Sequence, residues 1–258
     1  METGDKFLYY YTKVDRFLFE NLINGAMMFN SASSFNDPFD CKAPVIYGVE
    51  SDERIIGEYY DYFDTRKLPK FTFGLTKDAF IDAWIRNPGS FELRLHNELI
   101  KSNRNDFGIL CLSKSPNKIK MWSHYSNSHK GICLQLDYTN WITIEANNII
   151  NVNYPPNNHY QNFLDKNIPL TDSLIGHLIT KSNEWKEEEE SRVLMQTPGL
   201  HNIRKECLRK IIFGIDTTEE EIKTLKALVK KLDYPNLFFA KCRPSTQTFA
   251  VFIEDDPT

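Results

Sequence analysis

Two short apolar segments enclose a polar, aromatic stretch, and this arrangement constrains the fold more than any other feature. Residues 108–112 read GILCL and residues 131–136 read GICLQL, and both have the length and composition of buried strands. Between them, Asn117 is expected to cap a short helix that runs through Tyr125. The sequence therefore predicts a strand, a helix and a second strand, with one end of the helix at a cleft in a sheet.

The stretch 120–137 concentrates side chains that bind ligands. Two imidazoles, a lysine and large aromatics at a helix-to-strand junction are typical of a binding site. A structural reading stays open, because Trp122 and Tyr125 are three residues apart and can both face a core. The residues concerned are Met121, Trp122, His124, Tyr125, His129 and Lys130.

The flanking chain predicts more strands and helices. Asp15 can cap a helix over 16–24, and Gly25 suits its C-terminus. Thr218 and Glu221 form a capping box for a helix near the end of the chain. The segment from about 51 to 106 shows helical apolar spacing and is predicted to be a helical insertion. Strands are predicted at 7–11, 26–30, 210–214, 237–242 and 248–253.

These elements predict a single α+β domain over residues 1–258. Its central sheet is expected to be mixed or mostly antiparallel, with the helical insertion between two halves of the sheet. The aromatic stripe of the insertion is expected to be core, and His96 within it is expected to lie at the surface.

Composition and charge narrow the class of protein. A hydrophobic content of 41% argues against disorder, and no apolar run approaches the roughly 20 residues of a membrane span. Five scattered cysteines fit a reducing compartment, and the N-terminus lacks the pattern of a signal peptide. The net charge of −4 carries no global nucleic-acid signature. We expect a cytoplasmic protein that does not bind membranes.

The segment Asn36-Asp37-Pro38 is a strong turn signal between Phe35 and Phe39. Asn and Asp side chains bond nearby backbone, and Pro restricts φ. We expect an ordered turn with an Asn36 or Asp37 side chain bonded to backbone. Such a turn either holds polar groups for a ligand or only shapes the loop, and the sequence does not choose between these.

A run of four glutamates lies in the segment 184–195. If this segment is a strand, Glu188, Glu190 and Arg192 share one face, and Glu187 and Glu189 take the other. Arg192 could then orient one carboxylate while another acts as a base or stabilises a developing cation. The alternative is a solvated charge run.

Cysteine and histidine could in principle form a zinc site here. Cys111, His124, His129 and Cys133 are the candidates, but their spacing fits no structural zinc family. We therefore expect no metal.

The combined motifs resemble a bacterial family filed as domain of unknown function 2971, across roughly residues 7–214. They are FNDPFD at 35–40, GILCLS at 108–113, MWSHY with HKG within 121–137, and W-x-x-E-x-E-x-R at Trp185, Glu188, Glu190 and Arg192. The family name implies no activity.

The order of motifs is also distantly similar to that of mono-ADP-ribosyltransferases, which have a split sheet around an NAD cleft. The resemblance implies that Glu190 is catalytic, with Glu188, Arg192 and Tyr125 beside it. The first strand has tyrosines where those enzymes have His or Arg, and the middle motif is not Ser-Thr-Ser. The implied NAD-binding residues are Tyr10, Tyr11, Ser31, Asn36, Asp37, Trp122, His124, His129 and Lys130.

The expected function is therefore cleavage of NAD and transfer of ADP-ribose to a protein or nucleic-acid acceptor. The resemblance suggests a toxin or phage-defence effector, with an antitoxin or other defence partner. Asn36, His124, Tyr125 and Glu190 are predicted to line one cleft. Two alternatives stay open: a metal-dependent nuclease or phosphoesterase that uses carboxylates and Lys130, and a nucleotide-sensing or interaction module without turnover.

Overall fold

The computed structural model describes residues 6–41, 45–46, 50–140, 149–156, 161–162 and 170–256. The chain divides into two compact units. The first unit takes Met1–Asn30, Gly108–Val152 and Glu184–Thr258, and the second takes Ser31–Phe107 and Asn153–Asn183. Within the described ranges, no helix has the length and apolar character needed to cross a membrane. The expectation of a single domain over 1–258 stays a prediction.

The chain contains both strands and helices, numbered here in chain order. The strands are β1 (Phe7–Thr12), β2 (Ala26–Ser31), β3 (Val45–Ile46), β4 (Gly108–Ser113), β5 (Ile132–Asp137), β6 (Ile149–Asn151), β7 (Gln161–Asn162), β8 (Glu190–Met195), β9 (Gly199–Asn202), β10 (Leu208–Phe213), β11 (Phe238–Pro244) and β12 (Val251–Asp255). The helices are α1 (Arg16–Asn24), α2 (Glu53–Thr65), α3 (Pro69–Thr72), α4 (Lys77–Arg86), α5 (Pro88–Asp106), α6 (Ile119–Tyr125), α7 (Leu170–Ile179) and α8 (Glu219–Lys231).

A large open sheet forms the first unit, with strand order β12-β11-β10-β5-β1-β4-β2-β9. β8 also pairs with β4, and β6 pairs with β8. β10 and β11 run parallel, whereas β5, β8 and β12 pair with their neighbours antiparallel. The prediction of a mixed, mostly antiparallel sheet is confirmed.

The pairing of β1 is uneven between its two neighbours. β1 pairs with β5 along its whole length, from Phe7 to Thr12. It pairs with β4 at one position, where Tyr9 is opposite Ser113. The sheet is therefore continuous on the β5 side of β1 and narrow at the junction with β4.

Local signals in the sequence account for the helix ends. Asp15 Oδ1 accepts hydrogen bonds from the Phe17 and Leu18 backbone N–H groups, at 3.0 and 3.1 Å. Gly25, at the other end of α1, has a φ of 57° in the left-handed region. Thr218 and Glu221 form the predicted capping box of α8. These predictions are confirmed.

Both faces of the sheet are covered by helices. Buried apolar residues of α1 and α8 join the strands in one core cluster, which includes Leu18, Leu22 and Leu225. A smaller cluster contains Trp122 of α6 together with Tyr11 of β1. The burial of apolar surface on both faces is the main driving force for this unit.

The second unit is mainly helical. α2, α3, α4 and α5 lie in the segment predicted to be a helical insertion. Their aromatic residues form a separate core, with Phe80 and Trp84 fully buried. The expectation that the aromatic stripe is core is confirmed. The short strands β3 and β7 pair in parallel.

Two local predictions are wrong. α6 begins at Ile119 with Lys118 as its N-cap, and no side chain bonds the free N–H groups, so Asn117 does not cap it. His96 is buried rather than exposed, because its ring lies 5.3 Å from that of His177 of α7. Spacing along α5 did not reveal this neighbour, which comes from a distant part of the sequence.

Candidate functional site

The four glutamates of the run 187–190 divide by burial. Glu188 and Glu190 are 6% and 4% exposed, whereas Glu187 and Glu189 are exposed to solvent. The predicted division into two pairs is therefore present. Its predicted cause is wrong, because β8 begins only at Glu190 and Asn183–Glu188 forms a 3₁₀ helix.

The change of direction between these two elements occurs at Glu189. Its φ of 46° is in the left-handed region, which is strained for a residue with a side chain. Its backbone N–H donates to Lys186 O at 3.2 Å, and its carbonyl accepts from Lys114 N at 3.1 Å. These two bonds hold the turn, so Glu188 and Glu190 are both directed inward without a continuous strand.

Glu190 and Arg192 lie on one face of β8, two residues apart. Arg192 Nε donates to Glu190 Oε1 at 2.6 Å, and the Arg192 side chain is fully buried. A guanidinium is planar and directional, so this short bond sets the orientation of the carboxylate. The structure thus places Arg192 against the residue that the sequence predicts to be catalytic.

Glu188 is held by two different groups. The Tyr125 hydroxyl of α6 donates to Glu188 Oε1 at 2.8 Å. The Ser113 hydroxyl, at the end of β4, donates to the Glu188 carbonyl at 2.7 Å. Ser113 of β4 also lies opposite Tyr9 of β1 and opposite Glu190 of β8. Glu188 and Glu190 therefore lie next to the narrow β1–β4 junction of the sheet.

Trp122 and Tyr11, two of the predicted NAD-binding residues, belong to the core. Trp122 is fully buried, and its indole N–H donates to Pro116 O at 2.8 Å. The Tyr11 ring packs edge-on against it, at 5.1 Å between centroids, and the Tyr11 hydroxyl donates to Ser115 O. Both rings are buried, contrary to the NAD-binding role that the resemblance implies for them. Burial raises the pKa of Tyr10 to about 12 and so keeps its hydroxyl protonated.

The remaining predicted residues of the first unit are closer to solvent. His124 is exposed, and its ring lies 6.2 Å from that of Tyr125 and 6.0 Å from that of Trp185. His129 has a φ of 68° in a tight turn, where its carbonyl accepts from Asp216 N. Lys130 is exposed. Of these three residues, His124 is the one that the structure places beside Tyr125.

Two ion pairs join the glutamate run to the segment around α6. Lys118 Nζ lies 2.6 Å from Glu189 Oε1, and Lys120 Nζ lies 2.8 Å from Glu187 Oε2. The Lys120 ammonium lowers the pKa of the Glu187 carboxyl. The sequence motifs around MWSHY and the glutamate run are thus in direct contact.

The Asn36-Asp37-Pro38 turn is ordered, as predicted. Asp37 Oδ1 accepts from Phe39 N at 2.9 Å, and Asp40 N donates to Asp37 O. Asp37 is buried, and its Oδ2 makes no hydrogen bond to the described residues. Asn36 and Phe39 are exposed. Asp37 therefore supplies the bond to backbone, while Asn36 lies at the surface.

Ser31 and Asn36 both belong to the second unit. The Ser31 hydroxyl lies 2.7 Å from the Ser33 hydroxyl. The predicted convergence of Asn36 with His124, Tyr125 and Glu190 in one cleft stays a prediction, because those three residues belong to the first unit.

Sequence reasoning missed a buried ion pair in the second unit. Lys181 Nζ lies 3.7 Å from Asp40 Oδ2, and both side chains are almost fully buried. The two residues are far apart in sequence, and no local pattern marks Lys181 as buried. Among the described residues, no group of three or more His, Cys, Asp or Glu side chains has an arrangement that could hold a metal ion.

Comparison with known protein families identifies a match to part of the chain. The family model described as "Protein of unknown function (DUF2971)" matches residues 121–193. The matched range contains the MWSHY stretch, Glu188, Glu190 and Arg192, which confirms the resemblance to this family. The FNDPFD and GILCLS motifs lie outside it. No curated protein and no solved structure matches the chain.

Proposed function

We propose that this chain, in which residues 121–193 match the DUF2971 family, is an ADP-ribosyltransferase-like enzyme that cleaves NAD. It would transfer the ADP-ribose to a macromolecule, in the setting of a bacterial toxin or phage-defence system. The observation that carries the proposal is the pair of inward glutamates, each held by a directional donor. Arg192 holds Glu190 at 2.6 Å, and Tyr125 holds Glu188 at 2.8 Å.

The chemistry of NAD cleavage suits these two carboxylates. When the bond between the ribose and nicotinamide breaks, its electron pair stays on the pyridine nitrogen and positive charge develops on the ribose. The carboxylate of Glu190, oriented by Arg192, would stabilise that charge and accept a bond from a ribose hydroxyl. Glu188 would take the proton of the acceptor as the new bond to ADP-ribose forms.

The sheet supports the same proposal. β1 and β4 pair at one position, Tyr9 with Ser113, and Glu190 is opposite Ser113 on β8. The glutamates therefore lie at a narrow junction between two parts of the sheet, as expected for a split-sheet NAD cleft. His124, which is exposed beside Tyr125, is the imidazole best placed to contact a substrate there.

The test is consumption of labelled NAD by the purified protein, with transfer of the label into bacterial lysate. Glu190→Gln should lower turnover by about 10²-fold or more, because the stabilising charge is removed while the shape is kept. Glu220→Gln, on the exposed first turn of α8, is the charge-matched control and should leave turnover unchanged.

Stability must be separated from chemistry in this test. Arg192 is fully buried, so Glu190→Gln alone removes a carboxylate that is bonded to a buried positive charge and should lower stability. The double variant Glu190→Gln/Arg192→Met removes both charges and should regain stability without regaining turnover. Wild-type turnover in a folded double variant, or no NAD consumption by the wild type in lysate, would refute the proposal.

A nucleotide-binding module without turnover is the second candidate. It is favoured by the burial of Glu190, which is 4% exposed and already bonded to Arg192. NAD binding measured by calorimetry, together with unchanged NAD in lysate, would select this function over the enzymatic one.

A further inference from the structure

Three consecutive glutamates each contact one side chain of the segment 118–125. Neighbouring residues of an extended strand point in opposite directions, but the left-handed turn at Glu189 lets all three reach the same segment. The pairs are Glu187 with Lys120 at 2.8 Å, Glu188 with Tyr125 at 2.8 Å, and Glu189 with Lys118 at 2.6 Å.

The central contact differs from the two outer ones. Glu188 is buried, and Ser113 holds its carbonyl. The outer ion pairs are open to water: the exposed fractions of the side chains are 30% and 44% for Lys118 and Glu189, and 61% and 67% for Lys120 and Glu187. Exposed ion pairs stabilise a fold only weakly, so another anion can replace either glutamate at small cost.

We propose that Lys118 and Lys120 form a binding site for phosphate groups, which Glu189 and Glu187 occupy in the absence of ligand. Each glutamate carboxylate supplies the anionic oxygens that a phosphate would supply to an ammonium group. Lys114, exposed in the same stretch, adds a third positive charge. The ligand class is a nucleotide diphosphate or the backbone of a single-stranded nucleic acid.

The position of this site gives it a role beside Glu188. Lys118 and Lys120 precede Tyr125 on the same segment, and their glutamate partners flank Glu188. A phosphate bound there displaces the two outer glutamates and leaves Glu188 in place, because Ser113 and Tyr125 hold it independently. The two outer glutamates thus exclude weakly binding anions from the lysines, and a diphosphate or polyanion displaces them.

The site does not depend on NAD cleavage, so its test uses binding alone. Calorimetry on the full-length protein would measure ADP-ribose, which is not cleaved, and a short single-stranded oligonucleotide, at low and high salt. Binding of ADP-ribose identifies a nucleotide diphosphate as the source of the phosphate, and binding of the oligonucleotide alone identifies a nucleic acid.

Two double variants give opposite expectations. Glu187→Gln/Glu189→Gln should tighten binding about three- to tenfold, because the competing carboxylates are removed. Lys118→Gln/Lys120→Gln should weaken it about tenfold or more and reduce its salt dependence. Glu219→Gln/Glu220→Gln, on the exposed start of α8, changes net charge equally and is the control.

The direction of the glutamate effect decides the proposal. If the two ion pairs were purely structural, losing the glutamates would weaken ligand binding or leave it unchanged. Either result would overturn the proposed phosphate site. Binding by the glutamate variant no tighter than by the α8 control would do the same, as would the absence of both ADP-ribose and oligonucleotide binding to wild type at low salt. Thermal melts of each variant would establish that it is folded.

Discussion

The two units bury charged groups in different ways. In the first unit, Glu190 is bonded to a guanidinium at 2.6 Å and Glu188 to a phenol at 2.8 Å. In the second unit, Asp40 lies 3.7 Å from the ammonium of Lys181, and one oxygen of Asp37 makes no hydrogen bond to the described residues. The donors at these carboxylates therefore differ: a guanidinium and a phenol at hydrogen-bond distance in the first unit, and in the second an ammonium at 3.7 Å, with the Cys41 thiol 3.5 Å from Asp40 Oδ1.

This difference concerns how strongly each donor orients the carboxylate that it contacts. Short, directional donors fix where a carboxylate oxygen lies, which a catalytic or binding group requires. A flexible ammonium at 3.7 Å constrains that orientation less than a guanidinium at 2.6 Å. The contrast supports the first unit as the place of chemistry, and the following substitutions test it.

The largest effect is expected at Arg192. Arg192→Met removes the guanidinium bonded to the buried Glu190 carboxylate and should lower the free energy of unfolding by about 3–5 kcal/mol. Lys181→Met should cost less, about 1–3 kcal/mol, because the Lys181–Asp40 contact is longer than a hydrogen bond. Urea denaturation measures both. An equal or larger loss at Lys181 would remove the proposed distinction.

A pH effect is expected in the second unit. Burial lowers the pKa of His96 and of His177 from 6.5 to about 4, so both are neutral in the folded chain at pH 7. As pH falls from 6.5 to 4, the unfolded chain binds protons that the folded chain does not, and stability falls. The loss is on the order of 3 kcal/mol per histidine at most.

Urea midpoints between pH 7 and pH 4 measure this loss. The double variant His96→Phe/His177→Phe keeps two aromatic rings in contact and removes the titrating groups. It should retain only the shallower acid dependence that comes from the carboxylates. The same steep fall in the variant as in the wild type would show that the histidines are not the cause.

The hydrogen bond from Tyr125 to Glu188 is expected to contribute less. Tyr125→Phe keeps the ring and removes the donor to a buried carboxylate, which should cost about 1.5–3 kcal/mol. Tyr11→Phe removes a neutral bond to Ser115 O, at 2.8 Å, and should cost about 0.5–1.5 kcal/mol. A smaller effect for Tyr125→Phe than for Tyr11→Phe in thermal unfolding would show that the carboxylate is not held by this bond.

The smallest effects are expected at the turn of the second unit. Asp37→Ala removes the acceptor for Phe39 N and should cost about 1–2 kcal/mol. Asn36→Ala, one residue earlier and exposed, should stay within about 0.5 kcal/mol of wild type. Chemical denaturation compares the two. A larger loss at Asn36 would mean that the turn is held by a contact other than the Asp37 bond.

Local features of this protein could be predicted from the sequence. The Asp15 cap, the left-handed Gly25, the Thr218–Glu221 capping box and the bonded turn at Asp37 are all present. Each depends on hydrogen bonds between residues within four positions of one another. Such bonds form wherever the residue types and their spacing allow, so the sequence alone specifies them.

The partners of the buried charged groups depended on the tertiary structure. The hydrogen bond from Tyr125 to Glu188 spans 63 residues, and Asp40 and Lys181 are still further apart in sequence. These contacts depend on which strands become neighbours and on the left-handed turn at Glu189, which replaced the expected strand alternation. Residue spacing indicated which glutamates point inward, but strand order decided what they meet, because that order is set by burial of the whole core rather than by any local segment.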